Sequence, residues 1–326
     1  MPEIVQFYPN RLSITRRKTY RNQDGAIRIV NNYCSLKSIK NLKRKKSSVN
    51  LSKSSIRNIK DSIMSMYVLS QPRTVKINAK KNIYNFRQSF ITLTLPSMQI
   101  HSDVEIKVCL DRFLTILRNN FKIKNYVWKA ELQKNENIHF HLTIDKYIHY
   151  NALRYYWNKS INRLGYVDRY SVKMQKLSLN GYARLRQKSI NDVRDVYVRG
   201  VRSKWSTPNS VDVKSVRNNN DVSVYLSKYF AKADDNNLDE DRLSNFGKVW
   251  SRSQSLSRLK YKNKIYLDDI KDWIDKVVSI KKATYTINYD YCKVIYLRLY
   301  LIPRSILEQF NIMLFGNAKM YNYPFP

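Results

Sequence analysis

The sequence predicts an α+β fold, in which helices flank a central antiparallel β-sheet. Residues 126–133 and 138–145 are two β-rich runs with a short polar connection, which favours an antiparallel hairpin. The run FRQSFITLTL over residues 86–95 is rich in β-branched and aromatic side chains and stops at Pro96, as expected for a third strand. Apolar residues at helical spacing over 103–121 indicate an amphipathic helix that would pack on this sheet.

The helices are predicted from apolar spacing and from residues that start or end a helix. Ser102 can cap the helix over 103–121, and Gly165 can end a helix over 151–164. Apolar spacing also predicts helices over residues 54–69, 222–233, 267–279 and 304–314. One more strand is predicted near 292–300, whereas the basic stretch 170–215 has weak periodicity and is interpreted as strands and loops.

The chain divides into three predicted segments. Residues 1–50 are basic and poor in apolar periodicity, and the run NLKRKK at 41–46 is typical of a flexible arm. Residues 51–260 contain the predicted sheet and form the main domain. Residues 261–326 form a small C-terminal accessory region.

The net charge of +35 is the most unusual property of the composition. Lys and Arg in such excess indicate a polyanionic partner, because neutralising phosphates releases counterions. Charge alone does not distinguish DNA from RNA or from an acidic membrane surface. No glycine pattern forms a phosphate-binding NTPase loop, so we expect no nucleotide cofactor and no fused helicase motor.

Cysteine usage and hydropathy bear on the compartment. The three cysteines are far apart and form no CxxC pair, so neither a structural zinc site nor a disulfide framework is expected. The first ten residues lack the apolar core of a signal peptide, and no apolar run approaches the ~20 residues that cross a bilayer. We therefore expect a protein of a reducing cytoplasm with no membrane partner.

The strongest chemical signal is a strand that holds two of the four histidines. Side chains alternate along a strand, so His139 and His141 share the face opposite Phe140. Glu131, on the preceding strand, can lie beside them. Two imidazoles and one carboxylate suit Mg²⁺ or Mn²⁺ and leave positions for phosphate oxygens. The plainer alternative is a pair of surface histidines on an exposed strand.

A site with these three ligands restricts the register of the hairpin that joins the two strands. Paired residues of an antiparallel ladder share a face, so Glu131 must lie opposite His139 or His141. Either register requires a loop of three or five residues within 133–138. Asn135 and Asn137 tolerate the left-handed conformation that such a loop needs.

A second motif, YLSKYFAK, covers residues 225–232. Tyr225 and Tyr229 are four residues apart and share one face of a helix, and Lys228 and Lys232 repeat that spacing. Tyrosine is a weak nucleophile at neutral pH and needs a phosphate that metal and lysine have polarised. We predict catalytic roles for these four residues. The alternative is a packed helix with two half-buried tyrosines, which the histidine strand disfavours.

The segment VRGVRSKW at 198–205 is the best candidate for further contact with nucleic acid. Arg199, Arg202 and Lys204 are predicted phosphate contacts. Trp205 is predicted to stack on a base.

Together these motifs resemble those of HUH endonucleases, the rolling-circle replication initiators of microvirus-like phages and bacterial plasmids. HFH at 139–141 resembles the family's pair of histidines around a bulky apolar residue, and FITLTLP at 90–96 resembles its first strand motif. The doubled YxxK at 225–232 resembles its tyrosine motif, and FGKVWSRSQSLS at 246–257 resembles a tryptophan-containing signature. The resemblance spans roughly residues 55–257.

The resemblance implies an enzyme that nicks and rejoins single-stranded DNA at a replication origin through a 5′-phosphotyrosine. Residues 51–260 would be the endonuclease domain, with the histidine motif on a middle strand and the tyrosine helix across the sheet. The freed 3′-OH would serve a host polymerase, and a host helicase is a further expected partner in the bacterial cytoplasm.

Two alternatives stay open at this point. A mobilisation relaxase uses similar chemistry, but its tyrosine usually precedes the histidines, unlike the order found here. A non-catalytic basic nucleic-acid-binding protein with a decayed site is the other, and the intact Glu131, His139, His141, Tyr225 and Tyr229 argue against it.

Overall fold

A computed structural model describes most of the chain. The described residues are 3–8, 11–16, 19–21, 27–29, 51–70, 73–76, 83–86, 88–133, 135–216, 247–258, 264–289, 292–298 and 301–315. They fall into two compact units. The first contains the described parts of Met1–Asn85 and Gln254–Pro326, and the second contains those of Phe86–Val216 and Asp234–Ser253.

The described residues form strands and helices with the following bounds. The strands are β1 (Glu3–Tyr8), β2 (Arg11–Arg16), β3 (Thr19–Arg21), β4 (Ile27–Ile29), β5 (Arg73–Lys76), β6 (Ile83–Phe86), β7 (Gln88–Leu93), β8 (Tyr126–Leu132), β9 (Ile138–Ile144), β10 (Val211–Val216), β11 (Trp250–Arg252), β12 (Lys264–Tyr266), β13 (Thr284–Tyr289) and β14 (Cys292–Leu297). The α-helices are α1 (Lys53–Leu69), α2 (Asp103–Phe121), α3 (Tyr150–Ile161), α4 (Tyr166–Gln175), α5 (Leu179–Arg186), α6 (Ile190–Arg202), α7 (Gln254–Ser257), α8 (Lys271–Ser279) and α9 (Arg304–Phe315). Short 3-10 helices cover Asn162–Leu164 and Asp268–Ile270. Among these helices, none combines the length and the apolar character needed to cross a bilayer.

The second unit is built on an antiparallel five-stranded sheet in the order β10-β7-β9-β8-β11. Strand β9, which carries the two histidines, is the middle strand. One face of the sheet packs on helices: Trp157 of α3 contacts both Phe113 of α2 and Phe140 of β9, with ring centroids 5.6 and 6.2 Å apart. The predicted α+β fold, with an antiparallel sheet flanked by helices, is thus confirmed.

Helix α2 has the bounds that its sequence predicts, because both ends carry local signals. The Ser102 hydroxyl accepts from the Glu105 backbone N–H, and the Glu105 carboxylate accepts from the Ser102 N–H at 2.9 Å. This reciprocal capping box satisfies two N–H groups at the start of the helix. The helix ends where Lys122 adopts a left-handed conformation at φ 53°.

Helices α4, α5 and α6 occupy most of the stretch 170–215, for which the sequence predicts strands and loops; β10 and the connections that precede it agree with that prediction. The three helices enclose a small aromatic core, and we call them the helical lobe. Its buried residues are Tyr170, Met174, Tyr182, Ala183, Val193 and Trp205. Most other side chains of these helices are exposed, so the apolar stripe that predicts a helix is narrow.

Gly200 of α6 is required by the way Trp205 folds back on the helix. The backbone N–H of Trp205 donates to the Gly200 carbonyl at 2.8 Å, and a Cβ at position 200 would lie 2.4 Å from the Trp205 ring. We expect Gly200→Ala to destabilise the lobe by about 1–3 kcal/mol. The free-energy cost of overpacking against Trp205 exceeds the gain from the higher helix propensity of alanine. Hydrogen exchange of the α6 amides, with thermal unfolding of the full chain, measures this.

Gly181 of α5 provides the matched control. A Cβ there would meet Leu177 and Ser178 at ordinary contact distances of 3.5 Å. Gly181→Ala should therefore leave the lobe as stable as before or stabilise it by up to about 1 kcal/mol. Equal exchange rates in both variants would contradict the packing argument.

The first unit contains a second antiparallel five-stranded sheet, in the order β12-β1-β2-β14-β13. For residues 3–8 and 11–16 this corrects the prediction of a flexible arm, because both segments are strands of the sheet. Val5, Phe7, Leu12 and Ile14 alternate along them and are buried. The strands that flank this pair, β12 and β14, lie far along the sequence. No local sequence signal therefore predicts the pairing of β1 with β12 or of β2 with β14.

Two helices cover one face of this second sheet. Trp273 of α8 and Phe310 of α9 stack with ring centroids 6.0 Å apart, and Phe7 contacts both rings. The structure thus places two helices and a strand of the C-terminal region close to their predicted bounds. The division of the chain into two units differs from the three consecutive segments that the sequence predicts, because β1 and β2 belong to the same unit as residues 264–315.

Candidate metal centre

The β8–β9 hairpin brings together the three residues that the sequence predicts as metal ligands. Glu131 pairs with His139 across the ladder, and Leu132 with Ile138 is the last pair before the loop. The loop therefore has five residues, 133–137, which confirms the predicted register. Glu131, His139 and His141 consequently share one face of the sheet.

The loop reaches its geometry differently from the sequence prediction. Of the loop residues that the structure describes, Glu136 is left-handed, with φ 62°, and Asn135 and Asn137 are not. Asn137 instead fixes the loop to the segment after β7: its side chain accepts from the Gln99 N–H at 2.8 Å and donates to the Ser97 carbonyl at 2.9 Å.

The three candidate ligands lie within reach of a single ion. Their ligand atoms all lie within 4.8 Å of one another. Nε2 of His141 and Nε2 of His139 are 3.1 and 3.4 Å from Oε2 of Glu131. Two metal–ligand bonds of about 2.0–2.2 Å can together span at most about 4.4 Å, and both distances to Oε2 of Glu131 are well within this limit.

Two residues of β7 support His141. Thr92 lies opposite His141 in the ladder, and its hydroxyl is 3.3 Å from Nδ1 of the imidazole. The Phe90 ring stacks on the imidazole, with centroids 5.4 Å apart and an angle of 14°. A partner at Nδ1 fixes the ring and directs Nε2 towards the carboxylate, as outer partners do for histidines that bind metals.

Lys129 is the functional-site residue that the sequence analysis missed. It is 3% exposed, and its ammonium donates to Oε1 of Glu131 at 2.6 Å. The signal was its position two residues before Glu131, which puts both side chains on one face of β8. A buried ammonium needs such an anionic partner, since leaving it unpaired is costly.

Burial and charge set the protonation of the site. Burial raises the pKa of the Glu131 carboxyl, but the hydrogen bonds to His139 and His141 and the charge of Lys129 outweigh it and hold that pKa well below its ordinary value. Burial also lowers the pKa of His141, against the opposing effect of Glu131. At neutral pH the site therefore contains a carboxylate and a neutral His141 imidazole.

The donor set fits a divalent cation. It offers two imidazole nitrogens and one carboxylate oxygen from half-buried or buried side chains. Nδ1 of His139 is buried and has no hydrogen-bond partner among the residues that the structure describes. The charges of Lys129 and Glu131 cancel, and imidazoles that bind a metal are neutral, so a divalent ion would leave the site positive and attractive to phosphate.

The other predicted site residues lie in the helical lobe or outside the residues that the structure describes. Arg199, Arg202 and Lys204 are exposed on the helical lobe. The stacking role predicted for Trp205 does not fit its position, because it is 5% exposed and lies among Tyr170, Tyr182 and Tyr197. The catalytic residues predicted in the tyrosine motif, and the helix expected there, lie outside the described residues; they are Tyr225, Lys228, Tyr229 and Lys232.

Comparison with protein families gives one informative match. Residues 88–234 match the family model described as replication-associated protein ORF2/G2P. The matched region begins at β7, contains the candidate metal centre and extends over the tyrosine motif, and it covers less than half of the chain. Comparisons with curated proteins and with solved structures found no match. The family match supports a replication initiator family.

Proposed function

We propose that this protein starts rolling-circle replication by nicking and rejoining single-stranded DNA in a metal-dependent reaction. The observation that carries the proposal is the cluster of His139 and His141 on the middle strand of a sheet with Glu131 on the adjacent strand, inside the region that is similar to replication-associated proteins. The tyrosine motif follows this cluster in the sequence and lies within the same matched region.

The site would hold Mg²⁺ or Mn²⁺ through Glu131, His139 and His141. When bound, the cation would polarise the scissile phosphate and stabilise charge that develops on its oxygens. Thr92 and Phe90 orient His141, and Lys129 fixes the Glu131 carboxylate. These contacts preorganise the cluster before DNA arrives.

The tyrosine motif would supply the nucleophile. The hydroxyl oxygen of Tyr225 or Tyr229 attacks the phosphorus, and the bond from phosphorus to the 3′-oxygen breaks. The tyrosine loses its proton, and the leaving 3′-oxygen gains one. The 5′-phosphate stays on the tyrosine and the free 3′-OH can prime a host polymerase, while Lys228 or Lys232 neutralises phosphate charge.

Transesterification of this kind conserves the phosphodiester energy. Attack of a free 3′-OH on the phosphotyrosine therefore reseals the strand without a nucleotide cofactor. Unwinding of the duplex would fall to a host helicase, since the sequence has no NTPase loop.

The helical lobe would contribute to DNA binding. Residues 166–205 contain ten Lys and Arg against three Asp, a net charge of +7. The lobe's basic side chains, including Arg199, Arg202 and Lys204, are exposed. Such a surface attracts the phosphate backbone without reading sequence.

The deciding experiment is a nicking assay with a labelled single-stranded origin and Mg²⁺ or Mn²⁺. We expect a metal-dependent nick and a covalent adduct whose peptide mass maps to residues 225–229. A nick without an adduct would indicate direct hydrolysis and refute the tyrosine mechanism. Undiminished cleavage in EDTA would refute the role of the metal.

A triple variant tests the lobe. Replacing Arg199, Arg202 and Lys204 by Ala should reduce the slope of log affinity against log salt by about 2, since each phosphate contact on a single strand contributes about 0.7. Nicking at low salt should persist, because these residues lie outside the metal cluster. Filter binding over a salt series measures the slope.

The control for that variant removes the same charge elsewhere. Replacing Lys60, Lys271 and Lys276 by Ala takes three exposed positive charges from the other unit. If it flattens the slope as much as the lobe variant does, the effect is one of total charge and the lobe has no special role.

A further inference from the structure

The second sheet of the chain carries a row of side chains across four strands. Tyr285 of β13 pairs with Tyr296 of β14, which pairs with Arg11 of β2, which pairs with Tyr8 of β1. Paired residues share a face, so all four lie on the same side of the sheet. This side is opposite the one that packs on α8 and α9, because Leu12 and Ile295, next to Arg11 and Tyr296, belong to that core.

One half of this face is already occupied. The Arg11 guanidinium lies 4.3 Å from the centre of the Tyr8 ring and binds Asp61 of α1 through two contacts of 2.7 and 3.1 Å. Helix α1 thus contacts this face at β2. Tyr8 and Arg11 serve the packing of the unit.

The edge strand β13 is exposed on this face. Tyr285, Ile287 and Tyr289 alternate along β13 on this same face, and they are 49%, 38% and 46% exposed. Strand β13 is the edge of the sheet, and the Tyr285 ring stacks on Tyr296 with centroids 4.7 Å apart and an angle of 4°. The side of the Tyr285 ring that faces away from Tyr296 is directed towards the edge, where a further flat group can extend the stack.

A cation lies at one end of these tyrosines. Arg298 follows Tyr296 by two residues and continues on the same face. It donates from Nη1 to the Lys282 carbonyl at 3.2 Å and lies close enough to Tyr285 for electrostatic interaction. Its other N–H groups are suited to a phosphate, which a guanidinium binds with several donors.

The occupant of this face follows from its flat rings and from charge. A second copy of the chain would bring another +35 charges to the surface, which opposes self-association. A polyanion is attracted by the positive charge of the chain, and flat apolar groups on that polyanion can stack on the tyrosine rings. Single strands offer this combination, because every unpaired base presents a face for stacking on an aromatic ring.

We propose that Tyr285, Ile287 and Tyr289, with Arg298, form a stacking platform for the unpaired bases of single-stranded DNA. The choice of DNA rests on the proposed function; the stacking itself rests on the geometry of β13 and β14. The platform lies in the first unit, outside the residues that match the family model.

The test uses the full chain and two oligomers of equal length, one of thymidines and one of abasic sites. We expect Tyr285→Ser with Tyr289→Ser to weaken binding of the thymidine oligomer by at least about tenfold, from the energy of base stacking on aromatic rings. Binding should be measured at salt high enough to suppress the phosphate contribution. Affinity for the abasic oligomer should not change, and Tyr285→Phe with Tyr289→Phe should bind like the wild type.

Controls separate stacking from other causes. Tyr155→Ser removes a 57% exposed tyrosine from α3 and should leave affinity unchanged. Photocrosslinking of wild-type protein to an iodouracil oligomer should label a peptide that contains residues 285–289, which gives a result even where a variant folds poorly. Unchanged affinity in the serine variant, equal weakening for the abasic oligomer, or a dimer that the serine variant dissociates would each overturn the platform.

The nicking assay distinguishes failure of the stacking platform from failure of the proposed function. A wild-type protein that binds the thymidine oligomer through β13 but never nicks would refute nicking and retain the platform. A protein that nicks normally while the serine variant binds like wild type would refute the platform alone.

Discussion

Replacing His139 and His141 together by Ala should abolish metal-dependent nicking and leave DNA binding nearly unchanged. Both imidazoles point at Oε2 of Glu131, so their loss removes two of three candidate ligands. Metal stabilisation of a phosphoryl transition state is worth several kcal/mol, which corresponds to about a thousandfold in rate or more. Affinity rests on the +35 charge, which the substitution does not alter. Single-turnover cleavage and filter binding measure the two effects.

His149→Asn is the matched control. His149 caps α3 by accepting from the Asn151 N–H, a role that Asn can keep, and it lies outside the metal cluster. This variant should nick at the wild-type rate. A His139/His141 double variant that still cleaves at a rate close to wild type would refute the assignment of the metal centre.

The second large effect concerns the two tyrosines. Tyr225→Phe and Tyr229→Phe each remove the nucleophilic oxygen and keep the ring. If the residues alternate, each single variant should lose circle closure, at least one should still nick, and the double variant should do neither. We favour Tyr225 for the first cleavage and Tyr229 for the second transfer. A circularisation assay on a substrate with two origins distinguishes the two steps.

Tyr155→Phe, at an exposed position of α3, controls for general loss of tyrosine. It should nick and close circles like the wild type. If Tyr225→Phe or Tyr229→Phe also did both, the alternating scheme would be wrong and one tyrosine would act alone.

The parts of the fold that the sequence predicts are those with local signals. Helix α2 has its capping box within four residues, and the β8–β9 register follows from the requirement that Glu131 face the histidines. The candidate metal centre was predictable for the same reason, since its three ligands lie in one hairpin. Lys129 was not assigned, because a lysine next to a carboxylate is more often solvated than buried.

The parts that the sequence analysis missed depend on partners far along the chain or on thin apolar stripes. Val5 and Phe7 alternate as buried residues of a strand do, but they lie in a strongly basic segment. Strand β1 pairs with its neighbour β2 and also with β12, which begins only at residue 264. Helices α4–α6 bury few side chains outside their aromatic core, although Ser178 and Ser189 cap α5 and α6. The basic neighbours of Trp205 in the sequence predict base stacking, whereas its contact with Gly200 follows only from the three-dimensional structure.

The hairpin origin of the metal centre has a consequence for unfolding. All three candidate ligands lie between residues 131 and 141, so only a short loop must close to bring them together, and closing a short loop costs little entropy. An unfolded chain therefore keeps its ligands near one another and retains some affinity for the cation. Binding to the unfolded state subtracts from the stabilisation that a ligand confers. A cation that binds this site tightly should thus raise the melting temperature by less than the rise calculated from its affinity for the folded protein alone.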